Sequence, residues 1–230
     1  ARSQRRIAPT PEQATVALRA MHGRVDGLIV MAPQLSEKEL AAALPGGVPS
    51  ILINTRYRSL DHPTINLDNF EAVRLVVDHL AAIGRKRLIH IAGPVGNIDA
   101  DERAEAFSQI ATERSVAFET VRGNFDEESG ADAVLKLLAS GQTFDAVFAA
   151  NDNMAIGALR ALRTHGIGVP GKVAVAGFDD IPLAQHVGLT TVRVHIDELG
   201  ERALNRLLEA IAGTDGGCDE RHSPELLVRS

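Results

Sequence analysis

Cysteine is almost missing from this chain: Cys218 is the only one among 230 residues. That excludes an intrachain disulfide and any multi-cysteine metal site, and it fits a reducing compartment. Aromatic residues make up 3%, with no tryptophan and one tyrosine, which handicaps single-strand nucleic-acid binding by base stacking. A surplus of positive charge is lacking too. The formal charge is −6 at pH 7, whereas gripping nucleic acid needs a concentrated basic surface. The basic clusters, RSQRR at the start and GRKR at residues 84–87, read as solvated surface. No apolar run approaches the roughly 20 residues of a bilayer span. The opening ARSQRRIAPTPEQ has no apolar stretch behind its charges, so nothing marks the chain for a membrane or for export.

What is present is apolar material in regular alternation. Hydrophobic residues are 45% of the sequence, enough to build cores. DGLIVM (26–31), VPSILIN (48–54), TINL (64–67), KRLIHIAG (86–93), AFETVRG (117–123), DAVFAA (145–150), KVAVAGF (172–178), LTTVRV (189–194) and PELLVRS (224–230) read as strands. Between them run helical patterns, among them residues 69–83, ending at Gly84, and residues 99–114, 126–139, 152–165 and 196–212. Ser36 with Glu39 three residues on is a capping-box pattern. Strand and helix in alternation imply parallel sheets with crossover helices, an α/β architecture. The strands are too many for one ordinary sheet of about 4 to 6, so two lobes are expected. The glycine-rich AGTDGGCDE near the end reads as a surface loop.

No catalytic signature emerges. AGPVGN (92–97) follows a strand but lacks the glycine spacing of a dinucleotide fingerprint or a P-loop. The eight histidines are scattered without a metal-ligand pair, and no nucleophile-elbow pattern occurs. Neither a cofactor nor a metal is expected, nor is enzyme activity. The informative stretches are polar residues where strands end, since ligands of open parallel sheets bind there and helices need caps there. FAANDNMAIG (148–157) places Asn151 and Asp152 at a strand-to-helix turn, where Asn151 serves as N-cap or faces a ligand. GFDDIP (177–182) ends another strand with two carboxylates. Asp180 can cap the next helix with Asp179 its exposed neighbour, or one carboxylate can bind a ligand. An acid/base pair is disfavoured, because adjacent strand residues point to opposite faces. Arg103 is either a solvated helical arginine or a fork for ligand hydroxyls, and Phe125 taken alone reads as core.

At this point the residues resemble a family. The run FAANDNMAIGALRALRTHGIGVPGKVAVAGFDDIPLA, followed by LTTVRVHIDELGERALNRLL, is similar to the ligand-sensing core of the LacI/GalR family of bacterial transcription regulators. The likeness extends back through RGNFDEESG, DERAEAF, INLDNFEAVRLVVDHLAAIGRKRLIHIAGP and RVDGLIVMAP, in the family's order and spacing. It implies two Rossmann-like lobes with parallel sheets and a ligand cleft between them. The lobes would be residues 1–68 with 195–220, incomplete at its start, and 69–194 with 221–230. It implies an effector contact at Arg103, at Asn151 and at Asp179, with Phe125 able to stack on the ligand and Asp99 where a smaller polar residue often reaches it. Asp152 would favour the helix N-terminus electrostatically. The implied partners are a sugar or sugar-like effector, operator DNA through an N-terminal headpiece, and a second copy in a homodimer, all in the cytoplasm. The alternative is a periplasmic sugar-binding protein of a transporter.

Two departures from the family stand out. Val194 occupies the place of a common glutamine, removing one polar contact. The sequence also opens around the family's second core strand, without a counterpart of the helix-turn-helix headpiece. The expectation is therefore that these 230 residues do not bind operator DNA by themselves.

Overall fold

The computed structural model describes residues 10–33, 35–55, 62–214 and 219–229. The chain divides into two compact units, Ala1–Asn66 with Ile196–Arg221 and Leu67–His195 with His222–Ser230. Each is built on its own sheet. The RSQRR start and Cys218 with its neighbours at 215–217 lie outside the described residues.

The first unit contains α1 (Pro11–Ala20), β1 (Leu28–Val30), α2 (Glu37–Ala43), β2 (Ser50–Ile53) and β3 (Thr64–Leu67). Its sheet runs β1, β2, β3 and then a strand from late in the chain, with the first three parallel. Helix α2 starts as the sequence predicts: Ser36 accepts from the N–H of Glu39, whose side chain returns to Ser36. Helix α1 is not foreseen by the hydrophobic pattern. Its signal is TPEQ, in which Thr10 and Gln13 close a second capping box and Pro11 stands where no N–H is needed.

The second unit begins with α3 (Asn69–Ala82), β4 (Arg87–Ala92), α4 (Ile98–Glu113), β5 (Ala117–Arg122), α5 (Glu127–Ala139) and β6 (Ala146–Ala149). It continues with α6 (Asp152–Thr164), β7 (Ala174–Asp179), α7 (Pro182–Val187) and β8 (Thr190–Arg193). The chain then contributes α8 (Ile196–Ile211) and β9 (Glu220–His222) to the first unit's layers, and closes with β10 (Glu225–Leu227) in the second. In α8, Leu199, Ala203 and Leu207 recur four residues apart and bury one stripe against Ile51, Ile53 and Ile65.

The second sheet has the order β10-β8-β7-β6-β4-β5. Five strands are parallel; β10 departs from the parallel expectation and pairs antiparallel with β8 at the edge. Successive strand residues face opposite sides, and each side is covered by helices. Ile89, Ile91, Val147, Ala149 and Val175 pack with Val134, Met154, Ala158 and Leu162 of α5 and α6. Leu88, Phe148, Ala176 and Phe178 pack with Val73, Val76, Val77, Phe107 and Ile110 of α3 and α4. Burial on both faces explains the continuous apolar runs.

Within the second layer lies the polar side chain of His90. It is fully buried between the rings of Phe107 and Phe148, with Nδ1 3.0 Å from the Phe148 carbonyl oxygen. Burial pushes its pKa down to about 4, so the ring is neutral at pH 7 with its proton on Nδ1.

Candidate functional site

The doubly wound sheet of the second unit leads its chain to the same edge five times, at the carboxyl ends of β4, β5, β6, β7 and β8. That edge carries the residues singled out from sequence: Asp99 and Arg103 in the first turns of α4, Phe125 after β5, Asn151 after β6 and Asp179 at the end of β7.

Arg103 is the centre. It is buried, not solvated, and two of its nitrogens are committed within the protein. Nε donates to Asn69 Oδ1 at 2.8 Å and Nη1 to the Ala150 carbonyl at 2.7 Å, while the guanidinium lies 3.6 Å over the Phe178 ring. Nη2 makes no hydrogen bond among the described residues. Burial lowers the Arg103 pKa, opposed by Asp179, Asp99 and Glu102 nearby; an arginine nonetheless stays charged. Asn69, at the start of α3, bridges the group, because its Nδ2 donates to Asp99 Oδ1 at 2.9 Å and Glu102 Oε2 at 2.7 Å.

Asp179 faces this cation without an ion pair to it. Its carboxylate has no hydrogen-bond partner among the described residues and is open to water. The surrounding protein still desolvates it, and this outweighs Arg103; Asp152 and Asp99 add like-charge repulsion, so its pKa is pushed up to about 7. Because the side chain is water-accessible, the upward direction is what the site's chemistry rests on.

Asn151 performs the capping role. Its Oδ1 accepts the Met154 N–H at 3.0 Å, and its Nδ2 donates to the Phe125 carbonyl at 2.9 Å. It thereby fixes the backbone of Phe125, which sits at φ 63°. The Phe125 ring lies over Gly93, where an added Cβ would come within 2.4 Å of it. The glycine of IAGP is thus required by ring packing, which places the half-buried aromatic beside the site.

Two sequence expectations are corrected here. Arg103 as a solvated helical residue gives way to the buried hub above. Asp180 does not cap α7: Ile181 holds the N-cap position with no side-chain bond, and Asp180 pairs with Arg193 and Arg229. Asp152 stands at a helix start as expected, in the first turn of α6. It is fully buried, accepting the Thr191 hydroxyl at 2.6 Å and the Ile181 N–H at 2.9 Å. Burial pushes its pKa up to about 6 against those hydrogen bonds. Asn69 and Phe178 belong to this region without having been singled out from the sequence. The signal for Asn69 was its place in INLDN, a polar residue directly after a strand; Phe178 carries no signal beyond a core phenylalanine. Among the described residues no cluster of His, Cys, Asp or Glu could hold a metal ion, and no helix is long and apolar enough to cross a membrane.

Parallel-sheet α/β units of this order, with polar side chains gathered at the carboxyl edge, define the type I periplasmic-binding-protein-like fold. Residues 77–230 match the family of periplasmic binding protein-like domains. The chain belongs to that family and is similar to regulators of the LacI/GalR kind. It is 34% identical to the HTH-type transcriptional regulator GalS of Salmonella typhimurium, over 83% of this chain and 58% of that protein. It is 31% identical to the ribose operon repressor of Halalkalibacterium halodurans, over 81% of this chain and 56% of that one. A crystal structure of the lac repressor dimer bound to operator and the anti-inducer ONPF superposes with a TM-score of 0.88 at 26% identity, covering 96% of this chain and 79% of that chain. The chain spans under two thirds of the length of GalS and of the ribose operon repressor.

Proposed function

We propose that this chain is the effector-sensing part of a cytoplasmic transcription regulator and that its effector is a small, hydroxyl-rich, sugar-like metabolite. The observation that carries the reading is the juxtaposition of Arg103 Nη2 and the Asp179 carboxylate. One is a donor and the other an acceptor, neither hydrogen-bonded within the described protein, close enough for their charges to interact yet not paired. Neighbouring hydroxyls of a sugar can accept from the first and donate to the second. Asp99, which accepts from Asn69, stands beside them, and Phe125 offers an apolar surface for a sugar ring. Asn151 acts mainly through Phe125, with one remaining N–H of its amide to offer.

In this reading residues 1–68 with 195–220 form the N-terminal lobe and 69–194 with 221–230 the C-terminal lobe; the compact units, which end within two residues of these limits, support it. Effector that binds one arrangement of the regulator better than another shifts their populations, with a coupling of about 1 to 3 kcal/mol. In this reading operator binding is assigned to none of these 230 residues, whose formal charge is −6. The relatives are named as regulators and repressors, which favours regulation over delivery of sugar to a transporter.

A thermal-shift screen of the full-length protein against D-ribose, D-galactose, lactose, cellobiose and their phosphates and acids tests the proposal. A ligand bound only by the native state raises the melting temperature with its concentration. A saturating rise with at least one neutral sugar is expected. A response confined to non-sugar metabolites, in a screen widened to nucleobases and amino acids, would sink the sugar assignment.

A further inference from the structure

The turn that carries Asp179 is strained. Asp179 and Asp180 have φ of 105° and 55°, a backbone region that residues with side chains rarely enter. Such a turn persists where surrounding contacts over-determine it. Two sets of contacts do so from opposite directions.

From the α6 side, buried Asp152 accepts the N–H of Ile181, the residue directly after the strained pair, at 2.9 Å. Its other oxygen accepts the Thr191 hydroxyl at 2.6 Å, so the turn is referenced to β8. The contact is possible because residue 177 is glycine; a Cβ there would meet Asp152 Oδ1 at 2.2 Å. From the other side, Asp180 accepts Arg193 Nε at 2.8 Å and Arg229 Nη2 at 2.6 Å. Arg229 is itself tied down: Nη1 donates to the Leu189 carbonyl at 3.1 Å and its backbone N–H to Thr190 Oγ1 at 3.0 Å. Burial would raise the Asp180 pKa, but hydrogen bonds from the two arginines prevail and hold it below the usual carboxylate range. Both Asp152 and Asp180 thus spend their oxygens inside the protein.

We propose that Asp152 and Asp180 are positioning residues which lock the 179–181 turn from two sides, so that the Asp179 carboxylate is presented unpaired beside Arg103. The lock draws on parts of the chain far apart in sequence. Asp152 follows β6, Arg193 ends β8, and Arg229 follows β10. The C-terminal segment is thereby part of the ligand edge without touching a ligand. The functional meaning rests on the reading of Asp179 as an effector contact, but the lock can be measured with no ligand present.

The test uses the full chain and two nuclear magnetic resonance readouts: hydrogen exchange of the Ile181 amide and the pH titration of the Asp179 carboxyl carbon. Asp180→Asn keeps the side-chain size and removes the charge that holds both arginines, and Arg229→Gln removes one clamp should the first variant fail to fold. We expect a cooperatively folded protein in which Ile181 exchanges about tenfold faster or more, as for loss of a charge-assisted hydrogen bond. The Asp179 titration should also move toward the ordinary carboxylate range as the turn relaxes into water. A merely stabilising role would lower the melting temperature and leave that titration in place. Unchanged exchange and unchanged titration in a folded variant would overturn the lock. A sugar screen without a hit bears on the effector reading alone, so the two failures are distinguishable.

Discussion

Arg103 shows how burial changes what a substitution measures. Its Nε and Nη1 hold α3 and the end of β6, and its face covers Phe178. Truncation to alanine strands Asn69 and the Ala150 carbonyl and removes packed atoms, so Arg103→Ala is expected to cost roughly 3 kcal/mol or more of stability. Arg103→Lys keeps the charge but not the fork, and a smaller loss is expected, with sugar affinity reduced about tenfold or more. Urea denaturation beside calorimetric titration separates the two effects. His90 makes a prediction on the acid side. Its folded pKa of about 4 lies below the free value of 6.5. The unfolded chain therefore takes up a proton that the folded chain refuses as pH falls below 6.5. Stability contributed by neutral His90 is fully present above that value and is lost progressively down to about pH 4, by on the order of 3 kcal/mol. His90→Phe should flatten that acid limb; an unaltered pH profile of unfolding free energy would contradict the assignment. The sequence named Arg103, Asn151 and Asp179 because their residue types stand where strands end. It could not tell which of their atoms are already spent. Asn151 holding the Phe125 carbonyl and Arg103 bonding that of Ala150 are tertiary facts, fixed by neighbours 26 and 47 residues away.

At the scale of elements, the edge is shaped by two close approaches that only glycine permits. Gly177 makes room for Asp152 and Gly93 for the Phe125 ring. Gly177→Ala forces Asp152 out of its bonds to Thr191 and Ile181, an overpacking expected to cost about 1 to 3 kcal/mol. Gly93→Ala displaces the Phe125 ring and should weaken sugar binding more than it lowers stability. Melting curves and titrations on both variants check this, and equal affinity in the Gly93 variant would remove Phe125 from the site. Most elements were legible because their signals are local. The buried strands read as apolar runs, and Ser36, Asp126 and Asn151 mark the residues before helices. What was not legible lacked such signals or required the fold. Helix α7 opens at Ile181 with no side-chain cap rather than at Asp180, and the antiparallel direction of β10 follows from where the chain returns after α8. A partnership such as Asp152 with Thr191 spans 39 residues, and no periodicity announces it.

At the scale of the whole molecule, a regulator that reads two-fold operators mirrors that symmetry, so the full-length protein is expected to be a homodimer at micromolar concentration. Light scattering decides this, and a strict monomer would count against the regulator reading. The central claim is that the carboxyl edge of the second unit's sheet binds a hydroxyl-rich effector through Asp179 and Arg103. Isothermal titration of the full-length wild type and of Asp179→Asn, with the neutral sugar giving the largest thermal shift, tests it most directly. Asparagine keeps the size of the side chain and removes the charged acceptor, a loss of about 1.5 to 3 kcal/mol, or roughly tenfold to over a hundredfold in affinity. Saturable binding by the wild type is expected, with that loss in a variant whose melting curve remains cooperative. Equal affinity of the two proteins would contradict it.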